Sequence, residues 1–420
     1  MAEVIAIDGG YKLNGTVRIS GAKNATVALI PAAVLSDGPV EILGVPEISD
    51  VAALATLLRE LKCDVEIDGE RIKVDPTHME DIPLVSDAVN KLRAYYFMGA
   101  LLGKYKRVKI KMPGGCYLGP RPIDLHLKGF EALGAKITYE DDTYLLEAEE
   151  LVGNSIYLDF ASVGATINIM LAAVRAQGKT VIENAAKEPE IIDVANLLTK
   201  MGAKIRGVGT DTITIDGVDH LSGTFHEIIP DRIEAGTFLI IAAAAGEKVI
   251  VQNIIPQHLE ALISKLKEMG IKMDVVGDSI VVYGRDDALK PVNVKTQIYP
   301  GFATDLQQPL TTLLTQAQGD SHVKETIYIE RFKHCPQLNK MGAHIDLEEA
   351  ASVIHGPTPL HGTRVEATDL RCGAALVIAG LIAEGRTEIT NVYHIDRGYD
   401  NIDHKLITLG AHITRYHIDE

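Results

Sequence analysis

Chemistry-bearing side chains gather in the stretch Met112-Pro-Gly-Gly-Cys-Tyr-Leu-Gly-Pro-Arg-Pro-Ile-Asp-Leu-His126, which carries a thiol (Cys116), a guanidinium (Arg121) and the polar pair Asp124 and His126. Three glycines and three prolines in fifteen residues rule out a regular helix or a central strand, so the stretch is expected to be a loop with hinge-like freedom. A thiolate is favoured near fixed positive charge, and Cys116 lies five residues from Arg121. Cysteine is most often a small buried hydrophobe. Gly and Pro on both sides argue against burial here, and a functional thiol is the stronger reading.

A second set of polar residues falls at the expected starts of apolar helices. These are Lys23 and Asn24, Arg93, Ser162, Asp231 and Glu234, Asp305, and Asp369 with Arg371. Ordinary N-capping accounts for Asp231 and part of Asp369. It does not account for Lys or Arg, because the positive end of the helix dipole disfavours a cation. A cation kept there predicts a bound anion, and parallel helices opening into one cleft would suit a phosphorylated, multiply anionic ligand.

The elements that must position these residues come from a repeated unit. The phrase Leu133-Gly-Ala-Lys-Ile recurs as Met201-Gly-Ala-Lys-Ile, Met269-Gly-Ile-Lys-Met, Met341-Gly-Ala-His-Ile and Leu409-Gly-Ala-His-Ile, with a degenerate copy at Leu61-Lys-Cys-Asp-Val. A shift of 208 residues carries Lys62 onto Gly270, Gly134 onto Gly342, Gly202 onto Gly410 and Gly15-Thr16 onto Gly223-Thr224. The chain therefore reads as a duplicated triplicate of a roughly 70-residue unit. In the first copy, strand Thr16–Ile19, helix Ala22–Leu35 and strand Val40–Leu43 come first. An amphipathic helix Ser49–Leu61, capped by Ser49 or Asp50, and the strands from Asp64 and Arg71 follow. The first-type helices are expected at Ala22–Leu35, Ala88–Leu102, Gly164–Ala176, Ile233–Ala245, Thr304–Ala317 and Arg371–Ala383. Several are apolar on every face, and such a helix must be buried all round. Three per domain, wrapped by sheets, is the implied architecture.

Composition narrows the function. A chain of 420 residues is long for one core and suggests two domains. A net charge of -16 argues against nucleic acid or an anionic membrane as the main partner. The basic run Gly103–Lys111 alternates like a strand with one solvated face. Gly207-Val-Gly-Thr does not match a dinucleotide fingerprint. The four cysteines (Cys63, Cys116, Cys335, Cys372) lack metal spacing, and the fourteen histidines show no HExxH or comparable pattern; His394 and His404 read as surface or structural. No metal and no cofactor are expected. With no apolar leader after Met-Ala-Glu and no long apolar run, a cytoplasmic protein is expected.

Several motifs occur together and in order: Ser20-Gly-Ala-Lys-Asn24, Pro113-Gly-Gly-Cys116, Gly119-Pro-Arg-Pro122, Ser162-Val-Gly-Ala-Thr166, Glu183–Glu190, Pro230-Asp-Arg-Ile-Glu234, Phe302-Ala-Thr-Asp305, Ala367-Thr-Asp-Leu-Arg371 and Asp396-Arg-Gly-Tyr399. In these the chain closely resembles the UDP-N-acetylglucosamine enolpyruvyl transferases, from residue 4 to residue 418. The resemblance implies an α/β fold, the two-domain inside-out α/β barrel of six βαβαββ repeats, three per domain. It implies domains of 22–229 and of 1–21 with 230–420; for the oligomeric state, a monomer is the default expectation. It also implies transfer of the enolpyruvyl group of phosphoenolpyruvate to the 3′-hydroxyl of UDP-N-acetylglucosamine, by addition to a ketal and elimination of phosphate, a step of peptidoglycan precursor synthesis.

By motif, Lys23, Arg121 and Arg397 would hold the phosphate, and Arg331 and Arg371 the carboxylate, where a bidentate fork is the better geometry. Asn24, Asp305 and the backbone at Ile327 would bind the amino sugar, with Asp369 also in the substrate-binding set. Asp305 would take the hydroxyl proton. Uridine and diphosphate would lie against Arg93, Arg121, Pro122, Ile123, Asp124, Leu125, Ser162, Val163 and Gly164. Cys116 would protonate the methylene carbon or assist product release, would be the residue alkylated by fosfomycin, and its loop would close as a lid. Phe160 stands where many members have Lys, and Ile329 where Glu is common, although Glu330 is adjacent; neither is assigned a role. The rivals are a shikimate-phosphate enolpyruvyl transferase of the same fold and a non-catalytic UDP-sugar sensor. The thiol in Pro113–Cys116 and the uridine-side motifs favour the sugar nucleotide, and loss of Cys116, Asp305 or Arg397 would have marked the sensor.

Overall fold

The computed structural model describes residues 2–92, 94–111, 123–285 and 288–419. These fall into two compact units, one running from Gly21 to Ile229 and the other combining the residues up to Ser20 with those from Pro230 onward. Each has its own apolar core.

Among the described residues, five four-stranded sheets share one pattern, a parallel pair at one edge followed by two antiparallel partners. In the unit from Gly21 to Ile229, Thr224–Glu227 pairs parallel with Val40–Leu43, and Arg71–Asp75 and Asp64–Asp68 follow antiparallel. A sixth sheet, Arg107–Lys111 with Thr143–Glu147 and Lys136–Glu140, has three strands, and Leu84 bridges Ile110 in parallel where the others place a fourth. The strand Leu13–Arg18 does not pair as its sequence neighbours suggest. Leu13–Arg18 lies parallel to Gly246–Gln252, both in the unit that includes Pro230 onward, while its counterpart 208 residues on, Thr224–Glu227, completes the sheet of Val40–Leu43 in the unit from Gly21 to Ile229.

The apolar helices lie where their composition requires. In the second unit Arg232–Ala245, Gln307–Leu314 and Leu370–Ile382 pack on one another pairwise, and every residue of the first from Ile233 on is buried. In the first unit Tyr96–Tyr105 packs against both Lys23–Ala32 and Val163–Ala173. The approach there is close: Gly99 N donates to Asn168 Oδ1 at 2.9 Å, and a Cβ at position 99 would stand 2.4 Å from the Asn168 carbonyl oxygen. Only glycine fits there. The buried hydroxyls of Thr26, Thr166, Thr237 and Thr311 each donate to the carbonyl four residues back, so each is buried with a partner.

Several boundaries differ from the sequence reading. The expected helix Ala88–Leu102 divides into a 3₁₀ turn, Asp87–Lys91, and the helix Tyr96–Tyr105. Gly103 to Tyr105 therefore finish a helix, and the strand begins at Arg107. Thr304–Leu306 is likewise a 3₁₀ turn ahead of Gln307–Leu314. The helix Ser49–Glu60 has Ile48, which has no polar side chain, at its cap; Ser49 and Asp50 fall inside the first turn, and buried Asp50 lies 3.7 Å from Lys23 Nζ. Asp124 to His126 are the first turn of a helix, Asp124–Ala132, rather than loop.

Candidate active site

In the unit from Pro230 onward, the candidate residues collect at the starts of two central helices and on the turn after the strand Gly319–Lys324. Asp369 caps Leu370–Ile382: its Oδ1 accepts from the backbone N–H groups of Arg371 and Cys372, both at 2.9 Å, and from Gln308 Nε2 at 3.1 Å. The cap fixes Arg371 in the first turn of a buried helix. Asp305, in the 3₁₀ turn ahead of Gln307–Leu314, accepts from Arg331 Nη1 at 2.7 Å and from Arg371 Nη2 at 3.4 Å. Arg331 Nη1 also donates to Thr304 Oγ1 at 3.1 Å, and Thr304 in turn donates to Glu325 at 2.7 Å. Buried Glu325 accepts from Thr296 and from the N–H groups of Ile327 and Tyr328, which sets the turn presenting Ile327.

The two arginine side chains are only 3 % exposed, whereas Asp305 keeps 25 %. Arg331 Nε and Arg371 Nη1 are buried with no hydrogen-bond partner among the described residues. Leaving a buried charged donor unmade costs about 1–3 kcal/mol or more, a cost that an acceptor set against these guanidiniums would remove. Burial works against the charge of Arg371, but Tyr399, Asp305 and Asp231 more than offset it and hold its pKa above the ordinary value. Burial drives His334 down to about 3, so this neighbour of Arg331 and Asp369 adds no competing cation near neutral pH.

Arg397 follows the short helix Tyr393–Asp396. Its segment is tied to the cluster two residues on: the Arg371 guanidinium sits 5.2 Å from the Tyr399 ring centre, and the Tyr399 hydroxyl meets that of Thr237 at 2.9 Å. On the other side Arg415 grips both oxygens of Asp396, at 2.9 and 2.8 Å, and both of Asp403. The structure thus brings Asp305, Arg331, Asp369 and Arg371 into direct contact or one shared cap, and holds the chain of Arg397 against them through Tyr399. Glu325, Gln308 and Arg415 escaped the sequence reading because each acts through another residue and belongs to none of the motifs.

In the unit from Gly21 to Ile229, Lys23 and Asn24 open the helix Lys23–Ala32, with Lys23 Nζ facing Asp50. Ser162 caps Val163–Ala173, its Oγ accepting from Ala165 N at 3.2 Å. Val163 and Gly164 are the first helical positions. Ile123 and Leu125 are buried and Asp124 is exposed at the start of Asp124–Ala132. His126 joins these two helix starts. Asn168 Nδ2 approaches its Nδ1 at 2.9 Å and donates to Tyr95 O at 2.9 Å, and a Cβ on Gly164 would stand 2.9 Å from its Cε1. Burial lowers His126 to about 4; neutral, its Nδ1 accepts from Asn168 and its proton sits on Nε2, toward Gly164. Phe160, at the position of the absent lysine, is 58 % exposed, and Ile329 is also exposed. Arg93, Cys116, Arg121 and Pro122 lie outside the described residues.

Residues 7–406 match the family model described as EPSP synthase (3-phosphoshikimate 1-carboxyvinyltransferase). UDP-N-acetylglucosamine 1-carboxyvinyltransferase 2 of Listeria monocytogenes is 60 % identical over 416 residues, 99 % of this chain and 98 % of that one. The protein of the same name in Bacillus subtilis is 58 % identical over 414 residues, 98 % and 96 % of the two chains. Among solved structures, the enolpyruvyl transferase NikO from Streptomyces tendae superposes with a TM-score of 0.91 at 26 % identity, covering 99 % of each chain. EPSP synthase from Acinetobacter baumannii shares the fold at a TM-score of 0.75 and 19 % identity, covering 99 % of this chain and 100 % of that one. No helix among the described residues is long and apolar enough to cross a membrane. With an α/β fold of mixed sheets common to these structures and near-full-length identity to the sugar-nucleotide enzymes, the chain belongs to the UDP-N-acetylglucosamine 1-carboxyvinyltransferases of the enolpyruvyl transferase family.

Proposed function

We propose that the protein transfers the enolpyruvyl group of phosphoenolpyruvate to the 3′-hydroxyl of UDP-N-acetylglucosamine and releases phosphate. The observation that carries this reading is the pair of buried guanidiniums, Arg331 and Arg371, each with an N–H that has no partner among the described residues and both held against Asp305. A planar carboxylate accepts from such forks, and a fixed cation costs no reorganisation as charge develops. Arg331 and Arg371 would take the carboxylate of phosphoenolpyruvate; Lys23, Arg121 and Arg397 would take its phosphate. Asp305, the more exposed member of its cluster, would accept the proton of the 3′-hydroxyl.

As the sugar oxygen bonds to C2 of phosphoenolpyruvate, the methylene carbon gains a proton, and Cys116 is the residue to supply it or to assist release. Loss of a methyl proton and of the phosphate from the ketal then restores the double bond. Asn24, Asp305, Asp369 and the backbone of Ile327 would contact the amino sugar. Arg93, Arg121 to Leu125 and Ser162 to Gly164 would contact uridine and diphosphate, with the neutral His126 pinning the last two segments to each other. We read the six sheets around central helices as six copies of one unit in an inside-out barrel, with domains of 22–229 and 1–21 plus 230–420, acting as a cytoplasmic monomer.

The test is phosphate release from phosphoenolpyruvate with UDP-N-acetylglucosamine, with shikimate 3-phosphate and with neither. Release with the sugar nucleotide alone is expected, and Cys116→Ala should escape alkylation by fosfomycin. Release with the shikimate acceptor, or with neither, would overturn the reading.

A further inference from the structure

Outside the candidate active site, the clearest cluster of metal-binding side chains among the described residues is His344, Asp346 and His355, whose ligand atoms all lie within 4.8 Å of one another. It stands on the solvent face of a sheet. Asp320, His355 and His344 occupy one row across the strands Gly319–Lys324, Ala351–Gly356 and His344–Glu348, because Asp320 is registered with His355 and His355 with His344. Asp346, two residues along from His344, returns to the same face. The residues between, Ile345 and Ile354, are buried on the other face and hold the register.

We infer that His344, Asp346 and His355 form a binding site for a borderline divalent ion of the zinc class, with Asp320 orienting His355. The distances suit one ion. His355 Nε2 lies 2.8 Å from Asp346 Oδ2, and His344 Nε2 lies 3.9 Å from Asp346 Oδ1. Two ligand atoms ~2.05 Å from a tetrahedral ion stand about 3.3 Å apart, between those two values. Small rotations of exposed side chains, with an ion replacing the proton between His355 and Asp346, satisfy the geometry.

The two imidazole rings are already neighbours, with centroids 4.4 Å apart. His355 Nδ1 meets Asp320 Oδ1 at 2.7 Å, which directs Nε2 at the ion; this carboxylate–histidine arrangement orients ligands in metal sites. Two imidazoles select zinc, nickel or copper over calcium or magnesium. Three protein ligands leave further positions to water, and the two carboxylates balance the charge of a divalent ion. The bland alternative is a histidine hydrogen-bonded between two acids with no affinity for metal.

The full-length, metal-stripped protein should be dialysed against micromolar Zn²⁺ and its metal content measured, with Co²⁺ absorption reporting the ligands. One ion per chain is expected, with binding at least about tenfold weaker in His344→Ala, in His355→Ala and in the isosteric Asp346→Asn. Asp320→Asn should weaken it by ~10- to 100-fold. Melting curves recorded without metal show whether each variant is folded; should an alanine variant not fold, Asp346→Asn decides. Binding that survives the His344→Ala/His355→Ala double variant, binding lost in Cys116→Ser but not in His355→Ala, or no stoichiometric binding by the wild type each overturns the site.

Discussion

Replacing Arg371 with lysine tests the candidate site most directly, because it keeps one positive charge and removes the planar fork. In the folded protein one terminal nitrogen of Arg371 faces Asp305 at 3.4 Å, the other is buried with no partner among the described residues, and the guanidinium lies over Tyr399. A lysine ammonium reaches one acceptor from this position and cannot span two. The lost charge-assisted hydrogen bond is worth about 1.5–3 kcal/mol, or roughly 10- to 150-fold at 1.4 kcal/mol per decade. That loss should fall on kcat/KM for phosphoenolpyruvate. Affinity for UDP-N-acetylglucosamine, measured by calorimetry, should change by less than about threefold, since Arg371 is assigned to the other substrate. Steady-state phosphate release with each substrate varied in turn separates the two. An unchanged kcat/KM for phosphoenolpyruvate, or an equal loss for both substrates with the fold intact, would refute the assignment.

Three further outcomes are expected. Arg415→Ala leaves Glu3, Asp396 and Asp403 without their shared cation, so turnover should fall through a loosened Arg397 and Arg415→Lys should restore part of it; equal kcat and KM in Arg415→Ala and wild type would show that Arg415 positions nothing. His126, lowered by burial to about 4 from an ordinary 6.5, favours the folded state while neutral. Its contribution is complete above pH 6.5 and declines as pH falls toward 4, and the proton resonances of its ring should titrate near 4; titration near 6.5 in the folded protein contradicts the burial argument. Gly164→Ala places a methyl 2.9 Å from the His126 ring and should raise KM for UDP-N-acetylglucosamine while sparing that for phosphoenolpyruvate, read in the same phosphate assay; unchanged kinetics would remove this helix start from the nucleotide site.

Much of this architecture was legible because its physics is local. A run such as Thr237 to Ala245 has no polar side to show to water, so its burial could be read from composition, and the caps at Asp231 and Asp369 announce themselves by residue type and place. What escaped depends on distant partners. Asp50 has the credentials of a cap, but it falls inside the first turn and lies beside a lysine 27 residues earlier. Gly103 to Tyr105 carry the alternation of the strand that follows, yet Lys104 Nζ donates to the carbonyls of Val34 and Ser36 and the helix continues through it. Lys23 and Arg371 were visible as cations at helix starts, where the dipole argues against them, whereas Arg331 and Arg397 came only from the resemblance. Their supports were not visible: Glu325 and Arg415 gain meaning only from the side chains they hold. The trio His344, Asp346 and His355 is set by hairpin register, not by helical spacing.

The crossed pairing of the first strands has a consequence for synthesis. Ala2–Asp8 lies in the middle of its sheet, between Arg386–Thr390 and His412–Ile418. A nascent chain emerging at ~5–20 residues per second holds that segment without a partner for about 20–80 s. The unit from Gly21 to Ile229 has all its strands long before then. During synthesis the strands of the unit from Gly21 to Ile229 are all present first, and Ala2–Asp8 waits for its partners near residues 386–418.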